Sequence, residues 1–86
     1  MDIAYTANFL RQYKKLPKEL KEEVKRAIGE FRYVAKHKSL HLHKLKGELK
    51  SFHSFSVNYR YRIFFEFVHE RKTAWLHAVG DHDIYQ

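Results

Sequence analysis

Apolar residues recur along the chain in more than one rhythm, and each rhythm predicts an element. In M-D-I-A-Y, Ile3 and Tyr5 alternate with small or polar neighbours, the period of a short strand. Thr6 follows as a suitable helix N-cap, its hydroxyl able to accept a backbone N–H of the first turn. Phe9, Leu10, Tyr13 and Leu16 then fall at helical spacings until Pro17 interrupts them. Pro17 also suits the opening of a second helix, where its missing N–H has no partner to lose. Glu19, Glu22 and Glu23 crowd that helix's first turns and complement its dipole. Leu20, Val24, Ala27, Ile28, Phe31, Val34 and Ala35 recur every three or four residues, an apolar stripe of about five turns. The two helices joined at Pro17 read as a helical hairpin.

Between Lys36 and Lys50 the periodicity fails and Gly47 favours a turn, so this segment reads as a basic loop. Beyond Lys50 the period becomes two. S-F-H-S-F-S-V predicts a strand, with Asn58-Tyr59-Arg60 near a turn. Tyr61 to Val68 predicts a stronger one, with Tyr61, Ile63, Phe65 and Phe67 on one face and Arg60, Arg62, Phe64 and Glu66 on the other. The charged H-E-R-K at 69–72 turns the chain into a last strand from Thr73 to Val79. The expected fold class is therefore α+β, in the order β-α-α-β-β-β: an N-terminal strand, a helical hairpin and an antiparallel C-terminal meander. Helices on one face would leave the other face of the sheet open, and that is the natural place for a site.

Composition narrows this picture. A chain of 86 residues makes one domain, spanning 1–86, and buries roughly 60–65% of its unfolded surface. A hydrophobic fraction of 44% is too rich for a disordered chain, and most of the aromatic residues follow position 50. With no cysteine there is no disulfide, thiolate metal site or catalytic thiol. No N-terminal segment has the pattern of a signal peptide and no apolar run is long enough to span a bilayer, so a cytoplasmic protein with no membrane partner is expected. Seventeen Lys+Arg against ten Asp+Glu give a formal charge of +7, which favours nucleic acid or an acidic protein as partner.

The candidate chemistry gathers on the second half of the chain. Arg62 sits mid-strand, where a guanidinium is held rigidly and its fork of donors matches phosphate; a surface arginine paired with Glu66 or another acid is the plainer reading. His82 lies just past Gly80, in G-D-H-D, and an imidazole with an ordinary pKa of about 6.5 can move a proton near neutrality; a solvated turn is the alternative. Tyr85 can stack on a base or hydrogen-bond a phosphate, or simply anchor the tail. Lys38, Lys44, Lys46 and Lys50 read as a phosphate-attracting edge, joined by Arg60. His41-Leu42-His43 lacks a cysteine or a suitably spaced carboxylate, so no metal is expected, and no cofactor motif is present.

Taken in order, the helical hairpin opening with L-P-K-E, then L45-K-G-E-L-K, Y61-R-I-F-F-E-F and V79-G-D-H-D-I-Y resemble the RelE/ParE superfamily of toxin–antitoxin toxins over nearly the whole chain. The resemblance implies the RelE-like fold. It also implies a small, metal-independent endoribonuclease that cuts mRNA on the ribosome and is silenced by a cognate acidic antitoxin. In that chemistry a 2′-hydroxyl attacks the adjacent phosphate and the 5′-oxygen leaves. By position, Arg62 would stabilise the scissile phosphate, His82 would serve as general acid or base, and Tyr85 would stack on the base or assist proton transfer.

One stretch departs from the pattern. Active relatives often carry lysine or arginine on the strand before the turn, whereas F52-H-S-F-S-V has Ser54 and Ser56 there. His53 shares a face with Phe55 and Val57 and is expected to be buried. Two other outcomes therefore stay open: a ParE-like inhibitor of DNA gyrase without nuclease activity, and an inert homologue that only binds its antitoxin.

Overall fold

Thr6 ends the first strand and starts the first helix in a single residue. In the computed structural model, which describes residues 1–33, 40–44 and 52–81, β1 spans Asp2–Tyr5 and α1 spans Ala7–Lys14. The Thr6 backbone is extended, and its Oγ1 accepts from the Phe9 N–H at 3.0 Å, which satisfies one of the unpaired donors of the first turn. Pro17 is the N-cap of α2, Lys18–Phe31, with Glu19 in its first turn. The predicted stripe is the buried face of α2: Leu20, Val24, Ala27, Ile28 and Phe31. Val34 and Ala35, which the sequence adds to that stripe, lie outside the described residues, and α2 ends at Phe31.

The remaining elements are strands: β2, His43–Lys44; β3, His53–Ser56; β4, Tyr61–Val68; and β5, Thr73–Asp81. Among the described residues they form one five-stranded sheet with β1, in the order β1-β5-β4-β3-β2. The pairs β2–β3, β3–β4 and β4–β5 are antiparallel, as the meander predicts, while β1 lies parallel to β5. The sequence reading of residues 36–50 as loop is corrected at His43–Lys44. A two-residue strand forms there because it can bond to the edge of β3, a gain that no local pattern announces.

The helices and the sheet share one core, in which Phe31 does most of the joining. Its ring stacks on Phe55 at 4.2 Å between centroids and meets Phe65 edge-on at 4.8 Å. Val24, Ile63, Phe65 and Leu76 are fully buried in the same cluster. Neither described helix packs on the other face of the sheet. That face presents Phe52, Ser54 and Ser56 from β3 and its approach, Arg62, Phe64 and Glu66 from β4, and Trp75, Ala78 and Gly80 from β5.

Two irregularities shape that face. Phe64 pairs with Ala78 but Phe65 pairs with Leu76, so His77 is an extra residue in β5, a β-bulge. Beyond Leu76, β1 has ended and one edge of β5 has no strand partner among the described residues. Helix α1 and its cap supply the missing hydrogen bonds. Thr6 Oγ1 and Asn8 Nδ2 donate to the His77 carbonyl at 3.2 and 2.9 Å, and Gln12 Oε1 accepts from the Val79 N–H at 2.9 Å. At the other end, Asn58 closes the β3–β4 connection: its Oδ1 accepts from the N–H of Arg60 and Tyr61, and its Nδ2 donates to Glu23 of α2 at 2.8 Å.

Candidate functional site

Arg62 lies where the alternation of β4 puts it, on the face away from α1 and α2, between Ser56 of β3 and Gly80 of β5. Gly80 has no side chain to compete for the space, and the guanidinium turns toward β3. Its Nε donates to Ser54 Oγ at 2.9 Å and its Nη1 to Ser56 Oγ at 2.6 Å. Its Nη2 reaches past β3 to the His41 carbonyl at 2.6 Å and the Ser54 carbonyl at 3.3 Å. One side chain thus ties β4, β3 and the segment before β2 together. His41 adopts a left-handed backbone, φ 52°, which sets the orientation of the peptide that receives Nη2.

The two serines were the departure in the sequence, and here they are the arginine's partners. Ser54 is 1% exposed, the buried polar residue among the described ones, and its hydroxyl is satisfied by Arg62. Burial lowers the guanidinium pKa from its usual range, yet an arginine remains charged at any physiological pH. The site is therefore a fixed, half-buried positive charge. Five N–H groups are available to a guanidinium, and the second Nη1 hydrogen has no protein partner among the described residues.

The plainer alternative, Arg62 paired with Glu66, is not what forms. Glu66 Oε1 lies 2.8 Å from His77 Nε2 instead, close enough for an ion pair though without the alignment of a directed hydrogen bond. Arg60 is engaged at the end of the sheet, where Nε donates to Asp81 Oδ2 at 2.6 Å; the carboxylate raises the Arg60 pKa further. Asp81 is the last residue of β5, so this ion pair holds the strand end from which the chain continues to His82. Lys44 is exposed and stands opposite His53, on the helix side of the sheet, so it is not beside Arg62. His53 takes the predicted face and packs against Phe65 and Phe67 but is only partly buried, and that burial lowers its pKa, helped by Arg71 and Lys44. Lys38, Lys46, Lys50, His82 and Tyr85 lie outside the described residues.

Sequence reasoning missed Ser54, Ser56 and the His41 carbonyl as ligands of Arg62. The two serines occupy alternate positions of a strand, a usable signal, but only the β3–β4 register puts them beside the arginine. Among the described residues no group of three histidines, cysteines or carboxylates is arranged to hold a metal ion. None of the described helices is long and apolar enough to cross a membrane.

The described residues thus run in a βααββββ order, with a parallel first strand, two helices on one face of the sheet and an arginine fixed on the other. No protein-family model matches the sequence, and no curated protein matches it significantly. Solved structures do match. The chain is similar to YafQ from E. coli strain BL21(DE3), with a TM-score of 0.79 and 16% identity over 99% of this chain and 98% of that one. It is similar to a YoeB/ParE toxin from Agrobacterium tumefaciens, with a TM-score of 0.78 and 13% identity over 95% and 99%. A third match is in the toxin–antitoxin complex RelBE2 from Mycobacterium tuberculosis, with a TM-score of 0.68 and 22% identity over 94% and 96%. At these identities the likeness is one of fold, spanning nearly the full length of each chain.

Proposed function

We propose that the chain is the toxin of a toxin–antitoxin pair and a ribosome-dependent, metal-independent endoribonuclease acting on mRNA. The observation that carries this reading is the Arg62 guanidinium, fixed by Ser54 and Ser56 on the sheet face away from α1 and α2. A preorganised charge needs no reorganisation when a phosphorane forms beside it, and that is where electrostatic catalysis gains most. Similarity to a YoeB/ParE toxin and to the toxin–antitoxin complex RelBE2 supports the class and an antitoxin partner.

In the proposed reaction the 2′-hydroxyl gives its proton to a base and its oxygen bonds to the adjacent phosphorus. The bond from phosphorus to the 5′-oxygen breaks, and that oxygen takes a proton from an acid. His82 is the proposed acid or base, and Tyr85 stacks on the neighbouring base or assists proton transfer. Arg62 holds the developing charge with its remaining Nη1 hydrogen. Lys46 and Lys50 attract the backbone, and Lys44 and Arg60 contribute only to the long-range field. The acidic antitoxin covers this basic surface in the silenced complex.

A second reading has an observation of its own. The guanidinium is already held by two hydroxyls and two carbonyls, which is also how a purely structural staple would look. That favours a non-catalytic homologue which binds its antitoxin. Expression without an antitoxin, with mRNA 5′ ends mapped alongside DNA supercoiling, separates these readings. New 5′ ends within coding regions, lost in Arg62→Ala and His82→Ala at equal expression, are the expected result. Intact mRNA with relaxed or broken DNA points to a gyrase inhibitor, and intact mRNA with normal growth points to the antitoxin-binding homologue.

A further inference from the structure

The bulge at His77 builds a second cluster on the face that carries Arg62. Its ring lies 4.5 Å from Trp75 and 4.7 Å from Phe52 between centroids, and its Nε2 lies 2.8 Å from Glu66 Oε1. Trp75 stands opposite Glu66 in register and is 40% exposed, large for a ring this size. Beside it on the same face is an open hollow of ≈ 390 Å³ lined by Ala4, Val68, His69, Thr73 and Trp75. That volume falls within the range of small-ligand sites, and its walls are mostly apolar. Glu66 Oε2 has no partner among the described residues.

The two ends of the face thus differ in chemistry. Around Arg62 it is cationic, suited to phosphate; around Trp75 it is aromatic with a carboxylate, which would repel phosphate. Aromatic faces stack on bases of single-stranded RNA, and carboxylates accept from base N–H groups. Guanine offers two adjacent N–H donors, N1–H and N2–H, on one edge, a match for the two oxygens of a carboxylate. Arg62 and Glu66 are four residues apart on one strand, about 13 Å, a span that a few nucleotides bridge. Resting on the reading above that the ligand is RNA, we propose that Trp75, His77 and Glu66 form a nucleobase subsite selective for guanine. Trp75 supplies the stacking surface, Glu66 reads the base edge and His77 orients Glu66.

Trp75 is the chain's one tryptophan, so its fluorescence reports this subsite directly. The full chain is titrated with two 2′-O-methylated hexanucleotides, one containing a single guanine in a uracil run and one of uracil only. Expected is saturable quenching, about tenfold tighter with guanine. Glu66→Gln is expected to abolish that preference, so that the guanine strand binds no more tightly than the uracil strand. If Glu66→Gln does not fold, competition on the parent chain by guanosine against uridine 5′-monophosphate gives the same discrimination. No quenching by either strand, equal affinities in the parent, or quenching by an acidic peptide alone overturns the proposal. Because 2′-O-methyl RNA cannot be cleaved, quenching without mRNA cutting in cells sinks the nuclease and keeps the subsite. Cutting without quenching does the reverse.

Discussion

Arg62 Nη1 donates to Ser56 Oγ at 2.6 Å across the β3–β4 pairing, a charge-assisted bond between directly opposed residues. Removing the hydroxyl leaves a half-buried donor without its acceptor, so Ser56→Ala is expected to cost about 1.5–3 kcal/mol in urea unfolding. Arg62→Ala is destabilising as well, and the double variant should be less destabilised than the two single effects combined. Additivity would show that the pair does not act as a unit.

His53 gives the stability of the fold a pH dependence with a defined sign. Its pKa in the folded chain lies below the ordinary 6.5, first through burial and then through Arg71 and Lys44. Between those two values the unfolded chain binds more protons, so stability rises with pH there. The contribution is complete above about pH 7, is lost as pH falls through 6.5 toward the folded pKa, and is constant below it. In His53→Phe the urea midpoint should fall less than in the parent between about pH 7.5 and 5.

The β4–β5 turn is built from residues poorly suited to it. His69, Glu70 and Arg71 have φ of 53°, 57° and 67°, and the Lys72 N–H donates to the His69 carbonyl at 3.1 Å. Positive φ at both central residues is the geometry for which Asn-Gly is preferred, and ordinary side chains there cost about 1–2 kcal/mol each. Arg71 also lies over the Phe67 ring at 4.0 Å, so Glu70 is the cleaner position to change. Glu70→Asn should raise the melting temperature by a few degrees.

Thr6 serves two elements. It caps α1 and donates to the carbonyl of the bulged His77. Thr6→Ala is expected to cost about 1–2 kcal/mol, the upper end of the N-cap range, and to speed amide exchange at Phe9. A change confined to the turn at 69–72 would contradict the role.

Phe31→Ala removes the ring that links α2 to β3 and β4. Its expected cost of about 3–5 kcal/mol is a large fraction of what a small domain has, so the circular dichroism spectrum should show a substantial unfolded population at 37 °C.

The sequence by itself determined the local elements. Thr6 as cap, Pro17 as helix opener, the Leu20–Phe31 stripe and the alternation of Tyr61–Val68 depend on residues close in the chain, and all are present. Alternation also put Arg62 and His53 on opposite faces before any partner was known. Tertiary structure alone decided what those residues meet. Thr6 reaches a carbonyl 71 positions away, and β1 joins β5 in parallel across the whole length of the chain. The bulge at His77 shifts one register by a residue, which brings the imidazole to Glu66 and leaves Arg62 to the serines. Periodicity records which face a side chain takes. Register, bulges and the order of strands settle its partners, because these follow from packing the whole core at once.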